Sequence, residues 1–212
     1  VQVPDENFSK NAFVNCPFDD DYEPILQAIL FCLVRFGLSP RIATERIDSG
    51  EARLAKIEEL IEASKYSIHD LSRCQSMREG ELYRLNMPFE LGIDYGCRKY
   101  QGKPFDEKCI LILEEQPYRY QAAISDLAGR DIQRHGGEYV SAIRVVRKWL
   151  VSTGEFEEVP ASRVISEYED FQEWFLEKKM EEGFSPDDFQ DMPTTELLAG
   201  MKLWADTGMP RQ

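Results

Sequence analysis

The 212-residue sequence has no Gly-x-Gly-x-x-Gly and no Gly-x-x-x-x-Gly-Lys-Ser/Thr, so it carries neither the dinucleotide fingerprint nor the phosphate-cradling P-loop. Hydride transfer and nucleoside triphosphate hydrolysis fall in rank accordingly. A Gly-x-Ser-x-Gly elbow is missing too, and His69 and His135 are the only histidines, which leaves a serine or cysteine triad few bases. The five cysteines (Cys16, Cys32, Cys74, Cys97, Cys109) are odd in number and include no Cys-x-x-Cys. Together with two histidines they give no zinc spacing, and no metal site is expected. Most sit in apolar runs, as small core residues do, which fits a reducing cytosol. The longest uninterrupted apolar run, Ala28–Val34, is far shorter than the ~20 residues that span a bilayer. No leader is visible either, so the expectation is a soluble, cytoplasmic protein with no membrane partner. Positive charge is scarce: 25 Lys/Arg stand against 39 Asp/Glu, a net charge of −14. That balance lacks the broad positive field of a general DNA or RNA binder, and leaves room for a small phosphorylated ligand in a local pocket.

What is present is an ordinary globular composition, with 42% hydrophobic and 11% aromatic residues. The length suits one α/β domain, placed at residues 11–153, and an appendage at 154–212. The acidity is concentrated in the appendage, where residues 155–212 hold 5 Lys/Arg and 15 Asp/Glu.

Short apolar runs alternate with helical patterns along residues 11–151, which predicts βα units around a parallel sheet. Strands are expected at Ala12–Cys16, Arg41–Ala43, Tyr66–Asp70, Lys108–Leu113 and weakly at Arg130–Gln133. Cys109–Leu113 is the clearest, a continuous apolar run of the kind found in a central parallel strand. Helices are expected at Glu23–Phe36, Ala52–Ala63, Pro88–Tyr100, Tyr118–Leu127 and Glu138–Val151. Pro88 suits the first position of its helix. The first helix is apolar almost all round, so the domain or a partner subunit has to cover both of its sides. Beyond it, helices near Ser162–Glu182 and Pro193–Asp206 have too few apolar positions for a core of their own, and should pack back on the domain or on another copy.

In open parallel sheets ligands bind at the carboxyl ends of the strands. Those ends offer Asn15, Pro17, Phe18 and Asp19 after the first strand, Arg46 after the second, and Asp70, Ser72 and Arg73 after the third. Asn86 and Glu90 open the next helix on the same rim. Two carboxylates, Asp70 and Glu90, are what glycosidic-bond cleavage asks for: one to attack or stabilise an oxocarbenium-like C1′, one to manage protons or hydroxyls. The plainer alternatives are that Glu90 serves the helix dipole, that Asp70 caps a turn, and that His69 is packed at a strand end. For His135-Gly136-Gly137 a plain loop is favoured over an anion nest, and for Tyr118-Arg119-Tyr120 a surface or interface aromatic pair over base stacking.

Phe13-Val14-Asn15-Cys16-Pro17-Phe18-Asp19, Ile68-His69-Asp70-Leu71-Ser72-Arg73 and Asn86-Met87-Pro88-Phe89-Glu90-Leu91-Gly92 resemble an uncharacterised family of bacterial TIR-like proteins. Through Asp70 and Glu90-Leu91-Gly92 they also resemble nucleoside 2-deoxyribosyltransferases. The likeness covers roughly residues 11–151 and leaves out the appendage. It implies a flavodoxin-like, TIR-like five-stranded sheet in 2-1-3-4-5 order with a pocket for a nucleotide or nucleoside. Glu90 would be the catalytic carboxylate and Asp70 its assistant. Asn15, Pro17, Phe18, Asp19, Arg46, Ser72, Arg73 and Asn86 would hold the substrate. NAD enters this reading as a substrate, and no cofactor is expected. The alternative is a non-catalytic nucleotide sensor or a self-assembling signalling module with a second copy as partner. TIR-like proteins also suggest a place in bacterial anti-phage defence.

Overall fold

The computed structural model describes residues 5–74, 85–118, 124–189 and 191–208. Strands form at Asn11–Asn15 (β1), Ser39–Ile42 (β2), Tyr66–Asp70 (β3), Cys109–Glu114 (β4) and Gln133–Arg134 (β5). Helices form at Glu23–Arg35 (α1), Arg53–Glu62 (α2), Asn86–Tyr100 (α3), Tyr139–Ser152 (α4), Ala161–Glu181 (α5) and Thr194–Asp206 (α6). All strand pairs are parallel, in the order β2-β1-β3-β4-β5. The fold is therefore the expected flavodoxin-like α/β sheet, with helices continuing beyond it.

Alternation along the strands divides the core in two. Ala12, Val14, Ile42, Tyr66, Ile68, Leu111 and Leu113 join the apolar residues of α1 and α4 on one face. Phe13 points the other way and packs with Ile57, Leu60, Ile61 and Cys97 beneath α2 and α3. Ser67 and His69 share that second face, as period two requires, and His69 stands edge-on to Phe13.

The all-round apolar character of α1 is resolved within the chain. Residues Ile25 to Leu33, Gln27 apart, are buried, and α4, α5 and α6 all pack against the helix. Phe31 is the meeting point, with ring centroids 5.2 Å from Tyr168 and 5.5 Å from both Phe171 and Trp204. The acidic appendage thus shares a core with the α/β domain. A second subunit is not needed to cover this helix, which removes the observation on which assembly had been expected.

Three local expectations are corrected. Helix α3 begins at Asn86, two residues ahead of Pro88. The first turn of a helix leaves its N–H groups unpaired, so proline is tolerated one or two positions inside the start. The fifth strand lies at Gln133–Arg134 and pairs only with Leu113 and Glu114, because turns at Arg130 and Ile132 hold the preceding residues out of the sheet. Tyr118 opens no helix: it has φ +67° and gives its N–H to the Glu114 carboxylate. Residues 125–127 make a single tight helical turn, and the intervening residues 119–123, with the expected Arg119 and Tyr120, lie outside the described ones. Among the described residues no helix is long and apolar enough to cross a membrane.

Candidate active site

Asp70 ends β3 with its side chain on the α1 face. It is fully buried. Its Oδ1 accepts the Ser72 N–H at 2.8 Å, while Oδ2 accepts the Tyr22 hydroxyl at 2.7 Å and stands 3.0 Å from His135 Nε2. Burial pushes this carboxyl up, but the His135, Ser72 and Tyr22 hydrogen bonds outweigh it and leave Asp70 below its ordinary value. Both oxygens are thereby engaged, and Asp70 ties together the loops after β1, β3 and β5.

Serine, histidine and aspartate meet here, yet they do not form a triad. Ser72 Oγ lies 3.0 Å from His135 Nε2, the same nitrogen that faces Asp70. The other nitrogen, Nδ1, accepts the Gly137 N–H at 3.1 Å, so the ring proton sits on Nε2. A general base needs that nitrogen bare and the aspartate on the opposite one. The same contact disposes of the anion nest, because the Gly137 N–H is given to His135 and the Gly136 N–H to the Glu115 carbonyl. Cys16, at the end of β1, is no nucleophile either: burial first, then the Asp70 charge, push its thiol well above the ordinary range.

Glu90 lies on the second face of the sheet, in the second turn of α3. The helix is fixed there by a buried polar chain. Asn15 Nδ2 donates to the Met87 carbonyl and also stands 3.0 Å from His69 Nδ1. His69 Nε2 meets Asp94 Oδ2 at 2.8 Å, and Asp94 Oδ1 meets Lys108 Nζ at 3.2 Å. Lys108 Nζ also donates to the carbonyls of Ile61 and Ser64. Burial pushes Asp94 up, and the His69 hydrogen bond and Lys108 charge hold it below its ordinary value. Met87 and Asp94, one helical turn to either side of Glu90, are anchored through Asn15 and His69 respectively.

Glu90 itself is 5% exposed. Arg53 Nη2 stands 3.9 Å from its Oε1, beyond hydrogen-bonding distance, and Arg53 is largely exposed. Burial pushes the Glu90 carboxyl above its ordinary value, with Arg53 opposing it. Of the two expected catalytic carboxylates it has the less compensation: among the described residues Asp70 has three hydrogen-bond partners and Glu90 has one distant cation.

The two expected catalytic carboxylates therefore stand on opposite faces of the sheet. The substrate-holding residues divide in the same way. Asn15 and the exposed Asn86 are on the Glu90 side, and Asn15 is spent on Met87 and His69. Ser72 is with Asp70. Pro17 is buried, while Phe18 and Asp19 border a cleft toward α5 and α6. Arg46 is bound by Glu51 at 2.5 Å and Glu59 at 2.7 Å. Arg73 spans Asp19 at 3.4 Å and Glu115 at 2.8 Å. Each rim arginine thus faces carboxylates of this chain rather than an open position for phosphate.

Sequence reasoning missed Lys108, Asp94 and Tyr22. The sequence places Lys108 at the start of the fourth expected strand and Asp94 within a helix, and nothing in it links either to His69. Only the fold brings them to His69. No family model, curated protein or solved structure matches the chain.

Proposed function

We propose that the protein binds a nucleoside or nucleotide at the carboxyl ends of its strands and cleaves or transfers the N-glycosidic bond, with Glu90 as the carboxylate that meets C1′. The observation that carries this is Glu90: a nearly buried carboxylate with no hydrogen bond among the described residues and a pKa raised by burial. Burying a charge without a partner is costly, and groups so placed are concentrated at catalytic sites. The resemblance of residues 86–92 to TIR-like proteins and deoxyribosyltransferases supports the same assignment, and adds NAD to the candidate substrates.

In this mechanism the ionised Glu90 stabilises the developing positive charge on C1′ or attacks it while the base departs. Asp70 acts at one remove, holding the loops that follow β1, β3 and β5. The chemistry calls for Glu90 ionised, so activity falls as the pH drops through its raised pKa, at a higher pH than an ordinary glutamate gives. The test is base release from NAD and a panel of nucleosides, followed chromatographically, with wild type and Glu90→Gln side by side. The variant is expected to lose roughly 10²-fold or more of the rate. Equal release by both proteins, or none from either, contradicts the proposal.

The alternative reading is a non-catalytic nucleotide sensor, in which no glycosidic bond is broken and Glu90→Gln changes no rate. Nucleotide that raises the melting temperature and is recovered intact is the outcome that favours it.

A further inference from the structure

The one cation that faces Glu90 among the described residues is itself uncommitted. Arg53, the first residue of α2, stands 3.9 Å from Glu90 Oε1 through its Nη2 and leaves 57% of its side chain exposed. Among the described residues its guanidinium makes no hydrogen bond. Arg46 and Arg73 show the opposite condition. Arg46 is held at 2.5 Å by Glu51 and at 2.7 Å by Glu59, and Arg73 is shared between Asp19 and Glu115.

The backbone beside Arg53 carries the same sign of charge. Helix α2 starts after Ala52 with no capping side chain and no acid in its first turn. The first N–H groups of a helix have no partner within it and form the positive end of its dipole. Helical side chains lean toward the N-terminus, which brings the Arg53 guanidinium over that turn. An uncapped turn alone would be a solvated helix end. Here it adjoins Glu90, a carboxylate more than nine-tenths buried, without a hydrogen bond, and with Oε1 toward the same guanidinium.

A guanidinium offers five N–H donors in a planar fork, which matches a phosphate as well as a carboxylate. Its Nη2 edge faces Glu90, and the other donors remain for a second anion, with the cation standing between the two negative charges. A partly exposed ion pair at this distance contributes little by itself, so an incoming phosphate breaks no strong contact. In a nucleotide the 5′-phosphate lies one ribose ring away from C1′. An anion site next to the carboxylate that meets C1′ is therefore placed for it.

We propose, resting on the assignment of Glu90 to C1′, that Arg53 and the first turn of α2 hold the 5′-phosphate of the substrate, so that the substrate class is a nucleotide rather than a free nucleoside. The probes are AMP, GMP, CMP, UMP and nicotinamide mononucleotide, each paired with its own nucleoside, titrated calorimetrically into the full-length Glu90→Gln protein so that they stay intact. At least one monophosphate should bind about tenfold or more tightly than its nucleoside. Adding Arg53→Gln should erase most of that difference while nucleoside affinity changes far less, and Arg53→Lys, which keeps the charge without the fork, should retain part of it. No monophosphate binding more tightly than its nucleoside, or a difference that survives Arg53→Gln, overturns the proposal. Base release by the wild type separates this proposal from the glycosidic one. Nucleosides cleaved as fast as their monophosphates at limiting concentration overturn the phosphate site and leave Glu90 its role. A phosphate preference that depends on Arg53, with no base released from any compound, supports the phosphate site and contradicts cleavage.

Discussion

At the scale of single residues, three buried carboxylates, Asp70 on β3 and Glu90 and Asp94 on α3, show how surroundings decide chemistry. Asp70 and Asp94 are more deeply buried than Glu90, yet their pKa values go down and that of Glu90 goes up. The difference is the hydrogen bonds. The sign of the linkage follows from it. Asp70 and Asp94 contribute stability that is present above their unfolded value and lost as the pH falls through their lower folded values. Glu90 does the reverse: its ionisation weakens the fold above its folded pKa, and that loss is recovered as the pH falls through it. Glu90→Gln removes the unfavourable ionisation, so urea unfolding at neutral pH should find this variant more stable than the wild type. A variant that is markedly destabilised would show that Glu90 holds the structure rather than serving a site. Asp94→Asn leaves Lys108 charged and buried with carbonyl partners only, and should cost about 3–5 kcal/mol in the same measurement.

Among the elements, β3 was legible to the residue and β4 to within one: β4 is a continuous apolar run, while β3 alternates Tyr66 and Ile68 with Ser67 and His69, and both lie in a buried parallel sheet. β5 was not. Its two residues, Gln133 and Arg134, carry no apolar signal, and pairing with the end of β4 alone makes them a strand. Among the site residues, Glu90 was visible as an acid opening a helix, and Asp70 as an acid ending a strand. Their separation onto opposite faces was not visible, since it depends on which helix covers which face. The same limit applied to α1, whose apolar circumference announced that something covers it without saying what. Its cover is α5 and α6, through Phe171 and Trp204. A chain ending at residue 154 should therefore expose Phe31 and its neighbours and aggregate, as size-exclusion chromatography would detect. Phe171→Ala in the full chain should cost roughly 3–5 kcal/mol by thermal or chemical denaturation. A truncated chain that stays monomeric and melts cooperatively at the same temperature would refute this account of the appendage.

For the molecule as a whole, the net charge of −14 is unevenly placed, with 15 of the 39 acids and 5 of the 25 bases in residues 155–212. The appendage that carries them covers α1 on one face of the sheet, while Glu90 stands on the other. The most direct test of the central assignment is a crystal structure of the Glu90→Gln protein with an uncleaved nucleoside or NAD. The account predicts the anomeric carbon roughly 3–3.5 Å from the side chain at position 90. A ligand seated elsewhere on the protein, with position 90 empty of contacts, would contradict it.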